Sequence, residues 1–301
     1  MDINYISKLV NIKYALFSII FMSATTIFAL SFPEILMFLS LKKGVSTILL
    51  GSIAFIFART LGIVINQILD REIDKKNPRT SSRVLPMCQL SLKFCISLVL
   101  VSSVVFITIS FFFSPLCGIF SMLACFIMAF YPKTKHYTFL CHGVLGFIYY
   151  LAVLINFLAL SPESFSWNII VPASLWGISV AMIITGNDII YAMQDIHFDR
   201  QSGLYSIPAC FGKKVAISIA SACLVVSLIS YLSLVFVFLC QPWIGGMSVT
   251  FPTLMIIWTI KQYYSLKSNT NTETYFFKGN IYIALSFLFS MITLLILKQT
   301  T

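Results

Sequence analysis

Residues 94–113 read FCISLVLVSSVVFITISFFF, a run of 20 residues without a single charged side chain. An α-helix needs about 20 consecutive apolar residues to cross the hydrocarbon core of a lipid bilayer. This stretch therefore predicts a transmembrane helix. The number and order of such stretches decide the fold of the chain.

Nine apolar stretches of this kind follow one another along the 301 residues. They lie near positions 14–32, 45–69, 94–113, 115–131, 139–160, 168–192, 215–239, 243–260 and 277–297. Hydrophobic residues make up 59% of the chain and charged residues only 10%, against about 25% charged residues in a soluble domain. This composition excludes a soluble globular enzyme and a disordered chain. The sequence predicts an all-α, polytopic membrane protein in which residues 1–301 form a single transmembrane domain.

The basic residues are distributed unequally between the two sides of the predicted membrane. Of the 20 Lys and Arg residues, 16 fall in segments on the side of the N-terminus, three fall on the opposite side, and Arg59 lies inside a span. Loops rich in Lys and Arg face the cytoplasm. We therefore expect a cytoplasmic N-terminus and a C-terminus on the other side. Because the net charge of +10 is explained by topology, we expect the lipid bilayer as a partner and no nucleic acid.

Acidic residues are rare, and six of the ten lie in two short windows. The first window holds Asp70, Glu72 and Asp74 at the end of the second predicted span. The second window holds Asp188, Asp195 and Asp199 at the end of the sixth. Carboxylates near a membrane are costly, and they commonly line a water-filled cavity or a functional site.

The spacing within each window places polar side chains on one face of a helix. Asn66, Asp70 and Asp74 are four residues apart, and four more residues share one face in the same way: Asp188, Tyr191, Asp195 and Asp199. If the two acidic columns face each other, they need a cation between them. Oxygen ligands without a Cys or His cluster favour Mg²⁺, which completes its shell with substrate phosphates.

Basic residues accompany both windows and suit a magnesium-bound polyphosphate better than a metal ion alone. They are Arg71, Lys75, Arg79 and Arg83 after the first window, Arg200 after the second, and Lys133 and Lys135 on a loop between the two. The alternative is that these charges only fix topology and form surface ion pairs.

The two windows belong to longer motifs that resemble those of a known family. NQILDREIDKKNPRTSSRVLP at 66–86 closely resembles the first signature of the UbiA family of intramembrane prenyltransferases. YAMQDIHFD at 191–199, continuing to Ser206-Ile-Pro, is similar to the second signature, and YPKTKHYT at 131–138 to the loop after the fourth helix. Gln67 stands where many members have Asp. The form of the motifs most resembles that of 4-hydroxybenzoate-type polyprenyltransferases, including their menaquinone-pathway relatives.

The resemblance implies nine helices around a central cavity, and Mg²⁺-dependent transfer of a polyprenyl group from its diphosphate to an aromatic ring carbon. Carried over by position, it assigns Mg²⁺–diphosphate binding to Asn66, Asp70, Asp74, Asp195 and Asp199. It associates Lys135 with the diphosphate or the acceptor. The remaining substrate-binding candidates are Arg71, Lys75, Arg79, Arg83, Tyr191 and Arg200. The expected substrates are a polyprenyl diphosphate and a small aromatic acid, in a bacterial inner membrane with the site on the cytoplasmic side.

Three residues inside the predicted spans have open roles. Asp188 lies two turns deeper than Asp195 and is our candidate for orienting or deprotonating the acceptor; a helix-packing role competes with it. His142 fits a hydrogen-bonded histidine of the membrane interior. Arg59 either faces the cavity or forms an ion pair.

Other functions fit parts of the pattern. An ion-coupled transporter also carries intramembrane acids, but its sites lie near the midplane on broken helices. An alcohol phosphotransferase has its aspartates in a single run, whereas in this chain they are divided between two distant windows. A third alternative is a prenyltransferase of the same superfamily that uses a haem or a chlorin as acceptor.

Overall fold

The computed structural model describes residues 3–39, 41–160, 166–238, 242–266 and 272–300. Every regular element within these ranges is helical, with no strand, so the predicted all-α class is confirmed. Four helices are short: α1 (Ile3–Leu9), α3 (Pro33–Phe38), α5 (Arg71–Lys76) and α10 (Ile196–Gln201). The long helices in the described ranges are α2 (Ile12–Ala29), α4 (Leu41–Leu69), α6 (Leu92–Phe113), α7 (Pro115–Thr134), α8 (Cys141–Leu160), α9 (Trp167–Ala192), α11 (Ile207–Phe238), α12 (Pro242–Ser265) and α13 (Thr272–Thr300).

The long helices correspond to the nine predicted spans, although nine is approximate as a count of membrane crossings. Seven segments in the described part of the chain are long and apolar enough to cross a membrane. They are Gly44–Leu69, Leu92–Phe113, Pro115–Thr134, Cys141–Leu160, Trp167–Gln201, Ile207–Phe236 and Lys278–Leu297. The apolar part of α2, Leu16–Ala29, is shorter. Large apolar side chains such as Leu100, Val104 and Phe126 point out of the bundle, as expected where lipid replaces water.

Serine caps set the ends of the helices in the first half of the bundle. The Ser91 hydroxyl accepts a hydrogen bond from the Phe94 N–H at 3.2 Å and starts α6. Ser114 is extended, and its hydroxyl accepts from the Cys117 N–H at 3.1 Å. Because Ser114 is the only residue between α6 and α7, the two helices form a tight hairpin. This hairpin returns the chain to the end where α6 began.

Helix α9 lies at the centre of the bundle. Of the seven candidate spans, it is the most buried, at 67% of its apolar window. Glycines allow its neighbours to approach closely: a Cβ atom on Gly146 of α8 would lie 2.7 Å from the Ala181 carbonyl oxygen, and one on Gly186 of α9 would lie 2.9 Å from the Ala220 carbonyl oxygen of α11. The hydrophobic effect cannot drive helices together in lipid. Small residues at helix interfaces allow the close van der Waals packing that holds the helices together instead.

Aromatic side chains form a core around the N-terminal half of α9. Trp176 is fully buried, and its ring centroid lies 5.2 Å from that of Phe287 on α13. Its indole N–H donates to the Thr25 hydroxyl of α2 at 2.9 Å. A buried indole N–H needs a partner, particularly in a medium without water. The core therefore fixes α2, α9 and α13 around one residue.

Both acidic windows lie where a long helix breaks, which differs from the uninterrupted helical faces predicted from spacing. Helix α4 ends at Leu69, and Asp70 precedes α5. Helix α9 ends at Ala192, a 3₁₀ turn follows over Met193–Asp195, and α10 carries Asp199. In the first window the four-residue relation survives, because the Asp70 N–H donates to the Asn66 carbonyl and the Asp74 N–H to the Asp70 carbonyl.

Substitution of Gly146 tests the close contact of α8 with α9. Gly146→Ala should lower the unfolding free energy by about 1–3 kcal/mol, because the new methyl group overlaps a backbone oxygen that cannot move aside. The apparent Tm in detergent measures this effect. Gly143→Ala is the control on the same helix, where a Cβ atom meets nothing within 4 Å. If both variants melt alike, the close packing does not stabilise the bundle.

Candidate functional site

Two carboxylates of the first window form ion pairs, one with a base 65 residues away in sequence and one with a base nine residues away. The Lys135 ammonium lies 2.6 Å from Asp70 Oδ2, and the Arg83 guanidinium lies 2.7 Å from Asp74 Oδ2. Asp70 and Asp74 are both buried. A buried carboxylate without such a partner would be strongly unfavourable, so these bases are part of what keeps the window folded.

Arg79 joins the two windows. Its Nε and Nη2 atoms donate to the two oxygens of Asp195, at 2.9 and 2.5 Å. Its Nη1 donates to the Tyr191 hydroxyl at 2.8 Å, and its guanidinium lies over the Tyr191 ring at 5.0 Å. The Asn77 amide adds a further bond to Asp195 at 2.9 Å. A bidentate fork of this kind fixes orientation as well as charge, and it connects residues 116 apart in sequence.

The segment after the second window is attached to the Lys135 loop. The Tyr205 N–H donates to the Lys135 carbonyl at 2.7 Å. The Ser206 hydroxyl donates to Asp199 Oδ2 at 2.9 Å. Ser206 is the first residue of the Ser-Ile-Pro run that the sequence singled out, and in the structure it positions Asp199. We call the end of the bundle that carries residues 66–83, 131–138 and 188–206 the motif end.

Three predicted substrate-binding residues make their contacts elsewhere. Arg71 lies near Cys88 and Glu72, at 3.6 and 4.0 Å. Arg200 donates to the Ala209 carbonyl at 2.7 Å, and Lys75 is exposed. Within the described residues, no ion pair joins these three bases to the aspartates of the two windows, and their role in substrate binding stays a prediction.

A cavity of about 630 Å³ runs from the motif end into the bundle. Asn66, Arg83, Asp188 and Tyr191 lie among its lining residues at the motif end, together with Tyr131. Its far end is lined by residues that include Gly51, Phe113 and Ala159. At 1.5 Å per residue, the distance from Asn66 to Gly51 along α4 is about 22 Å. The cavity thus reaches through much of the membrane-spanning part.

Gln67, where the sequence departs from the family pattern, has a structural role. Its amide donates to the Leu9 carbonyl at 2.7 Å and attaches the end of α1 to α4. An ionised Asp could not donate this bond. Lys8 and Asn11, next to this attachment, also line the cavity. Because neither the length nor the hydropathy of α1 marks it as a span, sequence reasoning did not find this contact.

The structure shows contacts for each of the three residues in the spans. His142 Nδ1 lies 2.7 Å from Asp188 Oδ2, so these two residues form a pair. Arg59 lines the cavity and donates from Nη1 to the Ser18 hydroxyl at 2.6 Å. Its buried Nε atom has no hydrogen-bond partner among the described residues. A cavity-facing Arg is therefore the alternative that the structure supports.

Burial and ion pairing shift the pKa of charged groups outside the membrane spans in opposite directions. Burial raises the pKa of Asp70, and the attraction of Lys135 offsets only part of the increase. Burial lowers the pKa of Arg79, but hydrogen bonds to Asp195 and Tyr191 outweigh it and raise that pKa above its ordinary value. Arg79 therefore stays charged, and Asp70 depends on its base.

The paired acids and bases of the motif end can exchange their partners for a cation and an anion that bind together. No three His, Cys, Asp or Glu side chains in the described ranges lie close enough to hold a metal by themselves. A carboxylate can accept about four hydrogen bonds, so one base does not saturate it. Oxygen donors beside three bases fit Mg²⁺ that arrives with a phosphate-bearing substrate, since Mg²⁺ usually takes one or two carboxylates and completes its shell with phosphate and water.

Comparison with known proteins gives consistent results. The model of the UbiA prenyltransferase family matches residues 15–281. The 4-hydroxybenzoate octaprenyltransferase of Francisella tularensis subsp. mediasiatica (strain FSC147) is 30% identical over 177 residues, which cover 57% of this chain and 58% of that protein. The chain thus aligns with less than two thirds of the length of the curated relatives it matches.

Two solved structures have the same fold. The apo structure of a UbiA homolog from Aeropyrum pernix K1 has a TM-score of 0.79 and 24% identity, and covers 93% of this chain and 97% of its own. A UbiA homolog from Archaeoglobus fulgidus bound to DMAPP and Mg²⁺ has a TM-score of 0.66 and 16% identity, with 96% and 98% coverage. The helical fold is therefore shared across nearly the whole chain.

Removal of one base tests whether ion pairing stabilises the motif end. Lys135→Met should lower the apparent Tm, because it leaves the buried Asp70 carboxylate without its cation. Adding Asp70→Asn in the same chain should recover much of the loss, because the unpaired charge disappears. Lys133→Met is the matched control, since Lys133 is exposed two residues away. A double variant no more stable than Lys135→Met would contradict the pairing.

Proposed function

The chain belongs to the UbiA prenyltransferase family, and on that premise we propose that it transfers a polyprenyl group from polyprenyl diphosphate to a ring carbon of an aromatic acid. The acceptor is a 4-hydroxybenzoate-like or hydroxynaphthoate-like acid of quinone biosynthesis. The reaction depends on Mg²⁺. The observation that carries the proposal is the set of three acid–base pairs at the motif end, from which a long cavity, lined there by Arg83, extends into the bundle.

The motif end supplies a binding site for the diphosphate head of the donor. When the donor binds, Arg79, Arg83 and Lys135 exchange their carboxylate partners for diphosphate oxygens. The carboxylates released are those of Asp70, Asp74 and Asp195. Together with Asn66 and Asp199 they would offer the oxygen donors for Mg²⁺ bound with the diphosphate. Bound Mg²⁺ supplies positive charge that stabilises the leaving diphosphate.

This exchange explains why metal and diphosphate should bind together. Either ion alone takes one partner from a buried pair and leaves the other partner unpaired, which is unfavourable. When both ions bind together, each partner of a pair gains a new neighbour of opposite charge. The A. fulgidus homolog that holds DMAPP together with Mg²⁺ supports this arrangement.

The cavity offers a largely apolar space for the polyprenyl chain. Its length of about 22 Å along α4 and its apolar walls, which include Phe21, Phe55 and Phe106, suit a hydrocarbon chain extending away from the motif end. Aromatic faces also stabilise positive charge. These faces would therefore stabilise the allylic cation formed when the C–O bond breaks.

Arg59 favours an acidic acceptor. Its side chain lines the cavity, and its one described hydrogen bond is from Nη1 to the Ser18 hydroxyl, while Nε is buried without a partner in the described residues. A carboxylate at the cavity wall would pair with this guanidinium by a charge-assisted bond. The 4-hydroxybenzoate octaprenyltransferase relatives point to the same class of acceptor.

The chain's own residues then complete the transfer. The bond from prenyl C1 to the diphosphate oxygen breaks, C1 bonds to the ring carbon, and the ring proton passes to a base. Asp188 is the candidate base or orienting group, because it is the carboxylate among the cavity-lining residues and lies deeper than the paired acids.

The alternatives have less support. The paired acids lie where α4 and α9 end, whereas transporter sites lie near the midplane. A haem or chlorin acceptor within the same superfamily is the remaining alternative, and it would use the same proposed donor site. We also propose that residues 1–301 form one transmembrane domain in a bacterial inner membrane, with the motif end facing the cytoplasm.

An assay of membranes tests the reaction. Membranes carrying the protein, supplied with a polyprenyl diphosphate, Mg²⁺ and either 4-hydroxybenzoate or a hydroxynaphthoate, should form a prenylated acid that chromatography detects. EDTA should abolish the product and added Mg²⁺ should restore it, because the diphosphate charge is otherwise uncompensated. Membranes from cells without the protein are the control. Full transfer in metal-free buffer would overturn the proposed use of Mg²⁺.

Neutral variants separate the site from the scaffold. Asp70→Asn and Asp195→Asn should each reduce the rate at least about a hundredfold, because one charged group around the leaving group is lost. Insertion into the membrane should remain near normal. Glu72→Gln is the control, since its side chain is 76% exposed. Similar losses in all three variants would indicate that the acids serve topology and not binding.

A further inference from the structure

Asp188 differs from the paired acids of the two windows in the kind of partner it has. Asp70, Asp74 and Asp195 pair with Lys135, Arg83 and Arg79. Asp188 instead pairs with a histidine, through a contact of 2.7 Å between its Oδ2 and Nδ1 of His142. Its side chain is 22% exposed and lines the cavity. It is therefore a carboxylate that a substrate in the cavity can reach.

His142 is fixed from two sides. Its side chain is 4% exposed, and its Nε2 atom accepts a hydrogen bond from the Ile207 N–H at 3.4 Å. Ile207 begins α11, and the first N–H groups of a helix have no partner within the helix. Because Nε2 accepts this hydrogen bond, the ring proton lies on Nδ1, and the Nδ1–H group donates a hydrogen bond to Asp188. The imidazole thus connects α8, α9 and α11.

This geometry fixes one of the two carboxylate oxygens of Asp188. The Oδ2 atom is held by His142, which is buried behind the cavity wall. Asn66, Tyr131 and Tyr191 line the same end of the cavity as Asp188. A base is effective only when it lies within hydrogen-bond reach of the proton it removes, and a fixed carboxylate meets that condition better than a mobile one.

We propose that His142 is a positioning residue that holds Asp188 in the orientation in which it accepts the proton released by the aromatic acceptor. The inference rests on the proposed prenyl transfer. As the new bond forms between prenyl C1 and the ring carbon, the C–H electron pair returns to the ring. The proton passes to the carboxylate of Asp188 and from there to water. His142 keeps its own proton on Nδ1 throughout.

Two substitutions of His142 separate the hydrogen bond from packing. His142→Asn keeps an N–H donor near the position of Nδ1 and should retain kcat. His142→Leu keeps a bulky side chain but loses the donor, and should lower kcat on the order of tenfold or more, within the 10²–10⁴ that a positioned base contributes. KM for the prenyl diphosphate should not change in either variant, because the donor site is separate.

Thr185→Val is the matched control. Thr185 is buried at the same α8–α9 contact and donates to the carbonyls of Ala181 and His142, but it does not belong to the cavity lining that holds Asp188. This variant should keep wild-type kcat despite the lost hydrogen bond. A fall equal to that of His142→Leu would show that loss of packing, and not of positioning, reduces activity.

A double-mutant cycle with Asp188→Asn completes the test. If His142 acts through Asp188, His142→Leu should reduce kcat little further in the Asp188→Asn background. The inference fails if the losses multiply, if His142→Leu is as active as wild type, or if it raises KM for the diphosphate instead of lowering kcat. If the leucine variant does not accumulate in membranes, a tenfold loss in the stable His142→Asn variant overturns the inference. Wild-type membranes without prenylated product would instead overturn the proposed function.

Discussion

A carboxylate held at the end of a membrane helix needs a positive charge close by, and this constraint organises the motif end. Three acids each have one base within 2.7 Å. The bases come from residues 77–83, outside the long helices, and from Lys135, directly after the end of α7, so these parts of the chain must fold back over the acids. Arg79 and Lys135 connect parts of the chain that lie 116 and 65 residues apart from their partners. The same pairs that neutralise the resting protein supply the charges that the proposed reaction needs.

The position of α9 connects this end of the molecule with the rest of the bundle. Its far half contains Trp176, around which the aromatic core packs, and its near half contains Asp188 and Tyr191. Close backbone contacts at Gly146 and Gly186 hold it between α8 and α11. A site built on a helix that is fixed along its length keeps its geometry better than one built on loops.

Much of the fold could be predicted, because apolar length alone identifies a membrane helix. The predicted sixth span, 168–192, differs from α9 by one residue at its start. Spacing also predicted the relation of Asn66, Asp70 and Asp74 in the first window, because the four-residue hydrogen bonds continue where α4 gives way to α5. It did not locate the breaks in the helices, which occur where polar residues find partners other than the next helical turn.

The partners of the site residues could not be predicted from spacing. Nothing in the interval between Arg79 and Asp195 indicates that they meet, because long-range contacts depend on how the helices pack. The pair of His142 and Asp188 left a weak signal, namely two ionisable residues in otherwise apolar spans. Gln67 left none, since its partner is a backbone carbonyl.

The pairing of buried charges has a consequence for how related sequences diverge. A substitution that removes one member of a pair leaves an uncompensated charge in a nearly dry place, which selection against misfolded chains would oppose even if catalysis were no longer required. Positions 70 and 135, 74 and 83, and 79 and 195 should therefore change together or not at all. Exposed charges such as Glu72 and Lys75 carry no such penalty and are free to drift one at a time.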